Sequence, residues 1–291
     1  MGEGSTMKLV NYFKFNSDIY EKGIEYAIEH TVELGLDAVE FLGDVPHDER
    51  FLPDTEAAVK VAERLRSYGL TTACYSLGAN LFAPDIKAAE REFYFHAEIA
   101  AALGAPYLHH TLYMPFNRPA GAPTYDEMLR LILEPATHVA DYCAMQGLGC
   151  LYEPQGVYFN GLAGFSTLLR EMQGRCNNVA VCGDVGNPLF ADEHPNELFA
   201  QYAAQMKHVH IKDYYYRDAP TGEGEWLRTD GGRWISPARL GDGDIDVAYC
   251  LGELQKVGYS GALALEFEGD DDTICASIRY LKGLQRDIFG E

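Results

Sequence analysis

The feature that most constrains the fold is a regular alternation of short apolar segments with longer amphipathic segments, from residue 7 to the end of the chain. Short apolar runs bounded by turn residues are typical of buried strands, and apolar residues at helical spacing are typical of surface helices. The alternation predicts strands at 8–15, 38–42, 71–77, 107–112, 148–152, 179–182, 207–211 and 262–267. It predicts helices at 19–34, 53–68, 86–103, 125–145, 164–172, 196–206, 245–257 and 273–289.

Eight strand–helix units predict an α/β protein with a parallel sheet closed on itself, the (β/α)8 TIM barrel, as a single domain. Gly35, Gly69, Gly104 and Gly147 follow predicted helices, where a helix commonly ends. An open doubly wound sheet would need a glycine loop after its first strand, and residues 11–18 contain no glycine. We expect residues 1–6 to be a disordered or tag-like N-terminus. The barrel then spans 7–291. A long connection at about 214–244 is either a lid over the carboxyl ends of the strands or a loop without a functional role.

Composition excludes several classes of partner. The chain has 44 acidic and 23 basic residues and a formal net charge of −21, which repels a phosphate backbone and argues against nucleic acid. Charges interrupt each apolar run well short of the roughly 20 residues that a membrane span needs. The N-terminus lacks the basic and apolar regions of a signal peptide. The 7 cysteines are odd in number and scattered, as expected of free thiols in a reducing cytoplasm.

Polar residues at strand ends indicate where the function lies. His208 and His210 are two residues apart on a predicted strand, so both point to the same side. An isolated pair of this kind is more often a hydrogen-bonded core pair than a ligand pair. Here, however, Glu153, Asp184 and Glu266 end three other predicted strands. The carboxyl ends of barrel strands converge at one rim, so two Glu, one Asp and one His predict a site for a divalent metal ion.

The motifs around these residues resemble those of the xylose-isomerase-like sugar isomerase and epimerase superfamily, which includes ketose 3-epimerases and inosose dehydratases. They are Leu-Tyr-Glu153-Pro-Gln, Gly-Asp184-Val-Gly-Asn187, His208-Val-His210-Ile-Lys-Asp213, Leu-Gly241-Asp-Gly-Asp-Ile and Gly258-Tyr-Ser-Gly-Ala-Leu-Ala-Leu-Glu266. The resemblance covers the whole barrel. It implies that Glu153, Asp184, His210 and Glu266 bind one divalent cation.

The resemblance also bears on two choices that the residues leave open. Glu268 lies nearer the open end of its strand than Glu266, but Glu266 has the family spacing from the preceding Gly-Tyr-x-Gly turn, so Glu266 is preferred and Glu268 remains a rival. Carboxylate and imidazole ligands suit Mn²⁺, Co²⁺, Mg²⁺ or Zn²⁺. The family resemblance favours Mn²⁺.

Substrate contacts depart from the pattern of related ketose epimerases. A His and an Arg that bind substrate in those enzymes are replaced here by Asn187 and Tyr216, and an acidic residue is replaced by Phe159. The metal ligands are retained while the substrate contacts differ, so the substrate is expected to differ too. The candidate substrate-binding residues are His110, Asn187, His208, Lys212 and Arg217.

Three of the nearby positions leave alternatives open. By alternation, either His109 or His110 must face the barrel interior, and His110 is the one assigned above. Lys212 lies two residues after His210, so its side chain points to the same side of the strand. It either enters the pocket or forms an ion pair with a nearby acidic residue. Glu40 either points into the site or forms a pair within the barrel.

The resemblance predicts a metal-dependent isomerase or epimerase of a small carbohydrate or polyol, with Glu153 and Glu266 as base and conjugate acid. Such an enzyme removes a proton next to a carbonyl, and the cation stabilises the resulting enediolate. The main alternative is a lyase or dehydratase that expels a β-substituent from a keto-polyol or an oxidised glycoside. A DNA repair endonuclease is disfavoured by the net charge and by Asn187, and a non-catalytic barrel subunit is a further alternative. Homo-oligomerisation is left open.

Overall fold

Eight parallel strands form a closed barrel in the computed structural model, which confirms the predicted fold. The structure describes residues 7–43, 52–115, 118–222, 224–267 and 269–290, so the predicted N-terminal extension 1–6 and the rival ligand Glu268 lie outside the described residues. The barrel strands are β1 (Lys8–Asn11), β2 (Ala38–Leu42), β3 (Thr71–Leu77), β4 (Tyr107–His110), β5 (Gly149–Tyr152), β6 (Val179–Asp184), β7 (Met206–Ile211) and β11 (Ala262–Leu265). The ring closes where β11 pairs with both β7 and β1.

Helices alternate with the barrel strands and cover their outer faces. They are α1 (Phe13–Lys22), α2 (Ile24–Glu33), α3 (Thr55–Ser67), α4 (Ile86–Ala102), α5 (Tyr125–Met145), α6 (Leu162–Gln173), α7 (Pro195–Tyr202), α8 (Val247–Lys256) and α9 (Asp271–Phe289). Helix α5 begins with a capping box in which the Thr124 side chain accepts from the Glu127 backbone and the Glu127 carboxylate accepts from the Thr124 backbone. Within the described ranges, no helix is long and apolar enough to cross a membrane.

The first unit differs from its prediction. Strand β1 ends at Asn11 rather than at residue 15, and the following apolar residues belong to α1. Phe15 is buried because it packs edge-on against Phe41 of β2, with ring centroids 5.2 Å apart, so its apolar character reflects a helix face rather than a strand. Gly23, with φ of 89°, then divides the predicted helix 19–34 into α1 and α2, since this backbone conformation cannot continue a helix.

The connection after β7 contains a small sheet of its own, where the sequence predicted only a long loop. Strands β8 (Asp213–Arg217), β9 (Leu227–Arg228) and β10 (Trp234–Ala238) pair antiparallel in the order β8-β10-β9. One face of this sheet is buried, since Tyr216 and Ile235 are partners across β8 and β10 and pack with Leu189 and Phe190. We call this element the β8–β10 sheet.

The two ends of the β8–β10 sheet meet at Asp213. Its carboxylate accepts backbone N–H groups from Tyr214 at the start of β8 and from Gly241, Gly243 and Ile245 beyond β10. Because the four donors belong to the first and the last residues of the connection between β7 and α8, this one carboxylate holds the two ends of the connection together.

The core lies between the outer faces of the barrel strands and the helices. Phe15, Phe41, Phe93, Phe165 and Phe199 are among its largest fully buried side chains. Burial of one such side chain contributes about 1.5–3 kcal/mol to folding. Inside the barrel, side chains of alternate residues point to the axis, and those at the carboxyl ends of the strands are polar.

Candidate active site

The four predicted ligands meet at the carboxyl end of the barrel. They come from β6 and β7 and from the first residues after β5 and β11. The Nδ1 atom of His210 lies 2.9 Å from Oε2 of Glu153, 3.3 Å from Oε2 of Glu266 and 3.8 Å from Oδ2 of Asp184. The structure therefore brings Glu153, Asp184, His210 and Glu266 into one cluster, which we call the four-residue cluster.

Local backbone geometry orients the Asp184 carboxylate. Its Oδ1 accepts the backbone N–H groups of Gly186 and Asn187 at 2.7 and 2.6 Å, which leaves Oδ2 to face the cluster. The chain turns closely here, because a Cβ at residue 186 would lie 2.7 Å from side-chain atoms of Lys212 and Tyr214. The Gly-Asp-Val-Gly-Asn sequence thus fixes one carboxylate oxygen by hydrogen bonds and presents the other.

Glu40 orients the imidazole of His210 from beneath. Glu40 is fully buried, with Oε1 3.0 Å from Nε2 of His210 and Oε2 2.6 Å from Nε2 of His208, and it also accepts from the Ser76 hydroxyl. Burial alone would raise the pKa of Glu40, but His208 and His210 lower it far below its usual range. An ionised Glu40 holds the Nε2 side of His210, so Nδ1 faces the cluster. A carboxylate on the far nitrogen is the usual arrangement behind a metal-binding histidine.

Electrostatics at His210 favour positive charge. Burial lowers the pKa of His210, but the buried carboxylates of Glu40 and Glu153 raise it by more, so it lies well above its usual value. Cys182 lies within ligand distance of Glu153 and His210. Burial raises the pKa of the Cys182 thiol to about 12, so the thiol is protonated near neutral pH when no metal is bound.

Lys212 enters the same site. Its ammonium lies 2.8 Å from Oδ2 of Asp184, 2.8 Å from Oε2 of Glu266 and 3.1 Å from Oδ1 of Asn187. The contacts with the two carboxylates are ion pairs without hydrogen-bond geometry. Both carboxylate oxygens are buried and lack a hydrogen-bond partner among the described residues. Asp184, His210 and Glu266 offer ligand atoms within 4.8 Å of one another, and Glu153 contacts the same His210 nitrogen. Carboxylate oxygens and an imidazole nitrogen in this arrangement fit a divalent cation.

The two candidate catalytic carboxylates have opposite electrostatic environments. Burial raises the pKa of Glu266 to about 7, although Lys212 and His210 act to lower it. Burial would also raise the pKa of Glu153, but His109 and His210 lower it well below its usual value. One carboxylate therefore holds a proton more readily than the other.

A cavity of about 120 Å³ opens onto the cluster. Its polar floor includes Lys212 and Glu266, and its walls include the aromatic rings of Phe13, Tyr214 and Phe267. Apolar walls around a few polar groups are typical of small-molecule sites. This mouth cavity, as we call it, is smaller than most of them.

A family model described as the xylose isomerase-like TIM barrel matches residues 28–284. The chain belongs to this family. No curated protein sequence matches the chain.

Several solved structures superpose on nearly the whole chain. L-ribulose 3-epimerase has a TM-score of 0.73 at 16% identity, covering 97% of this chain and 95% of its own. The probable 3-DHS dehydratase AsbF of Bacillus anthracis has 0.73 at 15%, covering 95% and 99%. A xylose isomerase-like TIM barrel protein of Mycobacterium smegmatis in complex with magnesium has 0.72 at 16%, covering 99% and 99%. At such identities the likeness shows the fold alone, and proteins named as an epimerase and as a probable dehydratase share that fold.

The structure places the predicted substrate-binding residues of this xylose isomerase-like barrel at four different locations, of which three are on the inside of the barrel or in the connection after β7. Lys212 and Asn187 lie at the four-residue cluster. His208 lies deeper in the barrel, where it contacts Glu40. It is not among the described residues that line the mouth cavity. Arg217 lies on β8, where it pairs with Asp244 and lines a separate cavity.

His110 lies furthest from its predicted role, because its side chain is on the outer side of the barrel. Its ring packs edge-on against Phe93 of α4 with centroids 5.0 Å apart, on the outer side of β4. His109 faces inward instead, with Nε2 3.3 Å from Oε1 of Glu153. Strand pairing could have indicated this, because His109 is the partner of Leu151, which lies on the same face of β5 as Glu153.

Tyr12 is a further site residue that sequence reasoning missed. Its ring stacks on His210 with centroids 5.1 Å apart and planes inclined by 25°. Burial, together with Glu40, raises the pKa of its hydroxyl well above the usual value, so the phenol stays protonated. The predicted strand 8–15 placed Tyr12 inside a strand. With the strand ending at Asn11, Tyr12 takes the rim position where functional side chains occur.

Proposed function

We propose that the protein is a divalent-metal-dependent sugar isomerase or epimerase that moves a proton next to a carbonyl of a small carbohydrate or of a keto derivative of a polyol. The convergence of Asp184 Oδ2, Glu266 Oε2 and Glu153 Oε2 around Nδ1 of His210 carries this proposal. These four residues would hold the cation, with Mn²⁺ preferred over Co²⁺, Mg²⁺ or Zn²⁺. When bound, it would stabilise the negative charge that develops as an enediolate forms.

Glu153 and Glu266 are proposed to remove and return the proton. Their strands, β5 and β11, flank β6 and β7 in the barrel, so the two carboxylates approach the cluster from different sides. A base on one side and an acid on the other can take a proton from one face of a carbon and deliver it to the opposite face. That geometry supports epimerisation.

Other side chains would bind the substrate and exclude water. Lys212 offers ammonium protons, and the amide Nδ2 of Asn187 is buried without a hydrogen-bond partner in the described part of the chain. Both groups can donate to substrate hydroxyl or carbonyl oxygens. The rings of Tyr12, Phe13 and Phe267 enclose the site, which strengthens each electrostatic interaction inside it.

The second candidate function is β-elimination at the same site. It is favoured by Lys212, because an ammonium ion beside Glu266 can donate a proton to a departing oxygen. Product mass distinguishes the two reactions, since elimination gives a product of new mass and epimerisation does not.

The test replaces one carboxylate at a time and separates metal binding from proton transfer. In Glu153→Gln an amide oxygen remains for the metal but the base is lost, so the variant should bind metal while turnover falls by about 10²–10⁴-fold. Incorporation of solvent deuterium next to the carbonyl should fall in parallel. Asp184→Asn should instead weaken metal binding, and excess metal should partly restore activity. Glu56→Gln, on the exposed face of α3, is the control and should behave as the parent protein.

Two results would contradict the proposal. Full turnover and full deuterium exchange in folded, metal-loaded Glu153→Gln would mean that another group is the base. Absence of a stoichiometric divalent ion from unchelated protein, with no activity restored by any of the four ions, would exclude the metal-dependent reaction.

A further inference from the structure

The side chain of Asn16 on α1 joins the first two strands of the barrel. Asn16 is 7% exposed, and its Nδ2 donates to the C=O of Tyr12 at 2.7 Å and to the C=O of Glu40 at 2.9 Å. Its Oδ1 accepts the backbone N–H of Leu42 at 2.9 Å. Both amide protons and the carbonyl oxygen are therefore used, as burial of an amide requires.

The carboxamide of Asn16 takes the place of a peptide group of β1. The pairing of β1 with β2 ends at the partners Asn11 and Val39. In a regular parallel pair, the next residue of β1 would donate to the C=O of Glu40 and accept the N–H of Leu42. The side chain of Asn16 forms these two hydrogen bonds instead. Strand β1 can therefore end early while β2 keeps its hydrogen bonds at both positions.

The early end of β1 allows Tyr12 to cover the imidazole of His210. The two rings are stacked, with centroids 5.1 Å apart. The C=O of Tyr12 accepts from the Asn16 side chain at 2.7 Å and from the Asn16 backbone N–H at 3.2 Å. Two hydrogen bonds from one residue thus fix the backbone that carries the stacked ring.

Glu40 restrains the same imidazole at its edge. Its Oε1 lies 3.0 Å from Nε2 of His210, and its backbone C=O accepts from Asn16. The imidazole is therefore held on its face by Tyr12 and at Nε2 by Glu40. One carboxamide connects the backbones of these two residues and sets their relative position.

We propose that Asn16 is a positioning residue of the site, which acts through Tyr12 and Glu40 to keep Nδ1 of His210 directed at the four-residue cluster. This inference rests on the proposed function for the use of His210 as a ligand. Asn favours helix interiors less than most residues do, so its presence inside α1 has a helical cost that its hydrogen bonds offset. A residue that only supported the fold would affect stability and leave the imidazole unchanged.

Nuclear magnetic resonance of chelator-treated protein labelled with ¹⁵N-histidine tests the orientation of the ring without requiring catalysis. The chain has 9 histidines, and the ring-nitrogen resonances of His210 are those that disappear in His210→Asn. The parent protein should give one sharp pair of resonances for His210. In Asn16→Ala the pair should broaden or shift, because the ring takes several orientations.

Asn178→Ala is the matched control. Asn178 immediately precedes β6, at the end of the barrel opposite the cluster, and its Nδ2 also donates to two backbone C=O groups, those of Ala140 and Leu148 at 2.8 and 3.2 Å. This variant removes a comparable set of hydrogen bonds. It should lower stability in urea unfolding and leave the resonances of His210 as they are in the parent protein.

Metal affinity provides the second readout. In calorimetric titration with Mn²⁺, Asn16→Ala should bind about tenfold more weakly, at the lower end of the effect of removing a group behind a metal-binding histidine. Asn178→Ala should keep the parent affinity. The double variant Asn16→Ala/Glu40→Gln should stay within about threefold of Glu40→Gln alone, because residues that act through one contact are not additive.

Unchanged resonances of His210 in folded Asn16→Ala would overturn the inference, and so would equal changes in Asn178→Ala, which would show a general loosening of the barrel. If Asn16→Ala does not fold, Asn16→Ser is measured in its place with the same expected results. The two proposals fail separately. Altered resonances in Asn16→Ala, in a protein whose parent binds none of the four ions, would refute the metal-dependent reaction while supporting the positioning role of Asn16.

Discussion

Glu40→Gln should weaken metal binding even though Glu40 is not a proposed ligand. Glu40 lies 3.0 Å from Nε2 of His210 and 2.6 Å from Nε2 of His208, and it is completely buried. Gln keeps the shape of the side chain but removes its charge. The amide holds the imidazole less firmly, so Nδ1 of His210 is presented to the cluster in several orientations instead of one.

The magnitude follows from two contributions. Loss of the carboxylate behind a metal-binding histidine typically costs about 10- to 100-fold in metal affinity, or roughly 1.4–2.7 kcal/mol. Two charge-assisted hydrogen bonds at Glu40 are weakened at the same time. Since Gln can still form neutral hydrogen bonds there, we expect a loss of about 3 kcal/mol in the free energy of unfolding, at the lower end for a broken buried ion pair.

The assay is calorimetric titration of chelator-treated protein with Mn²⁺, alongside urea unfolding of the same samples. His208→Gln is the matched control, because it disturbs the other oxygen of Glu40 without removing the contact with His210. It should lower stability while keeping metal affinity within about threefold. Unchanged affinity in Glu40→Gln would refute the orienting role of Glu40, and equal weakening in both variants would show a general loosening of the barrel.

Three further predictions concern other parts of the molecule. Lys212→Met should bind Mn²⁺ about tenfold more tightly in the same titration, because the ammonium and the metal share two carboxylate oxygens; weaker binding would show that Lys212 instead supports the ligands. Gly156→Ala should destabilise the protein by about 3–5 kcal/mol in urea unfolding, because φ is +76° and a Cβ would overlap the Tyr113 carbonyl, whereas Gly283→Ala on α9 should be tolerated. The structure describes all seven cysteines, and Cys275 is the least buried of them. A thiol reagent should therefore label about one cysteine, Cys275, in the native protein and all seven after unfolding. Rapid labelling of several thiols in the native protein would contradict the burial of the other six.

The barrel and the positions of the four-residue cluster could be predicted because both depend on local patterns. Strand and helix periodicity are properties of short windows, and the carboxyl ends of parallel strands meet at one rim whatever the details of the helices. Glu153, Asp184, His210 and Glu266 could therefore be expected to converge before any side-chain geometry was known. Their roles remain predictions.

Features that depend on distant pairing were not predicted. His109 rather than His110 faces the cluster because of the register between β4 and β5, which a single strand does not reveal. Glu40 was expected either to point into the site or to pair within the barrel, but its contacts with His208 and His210 span 168 and 170 residues of sequence, so these partners could not be predicted from its neighbours. The β8–β10 sheet was missed for a similar reason, since β8 follows β7 almost without interruption and finds its partner beyond a long connection.

The hydrogen bonds of Asp213 make the β8–β10 sheet an exchangeable module. One carboxylate holds both the entry and the exit of the segment, so the two ends remain together whatever lies between them. Lengthening or replacing a segment with fixed ends costs little loop-closure entropy. A relative with the same barrel and the same Asp213 anchor can therefore carry a different segment between residues 214 and 240, while the side chains of the four-residue cluster keep their positions.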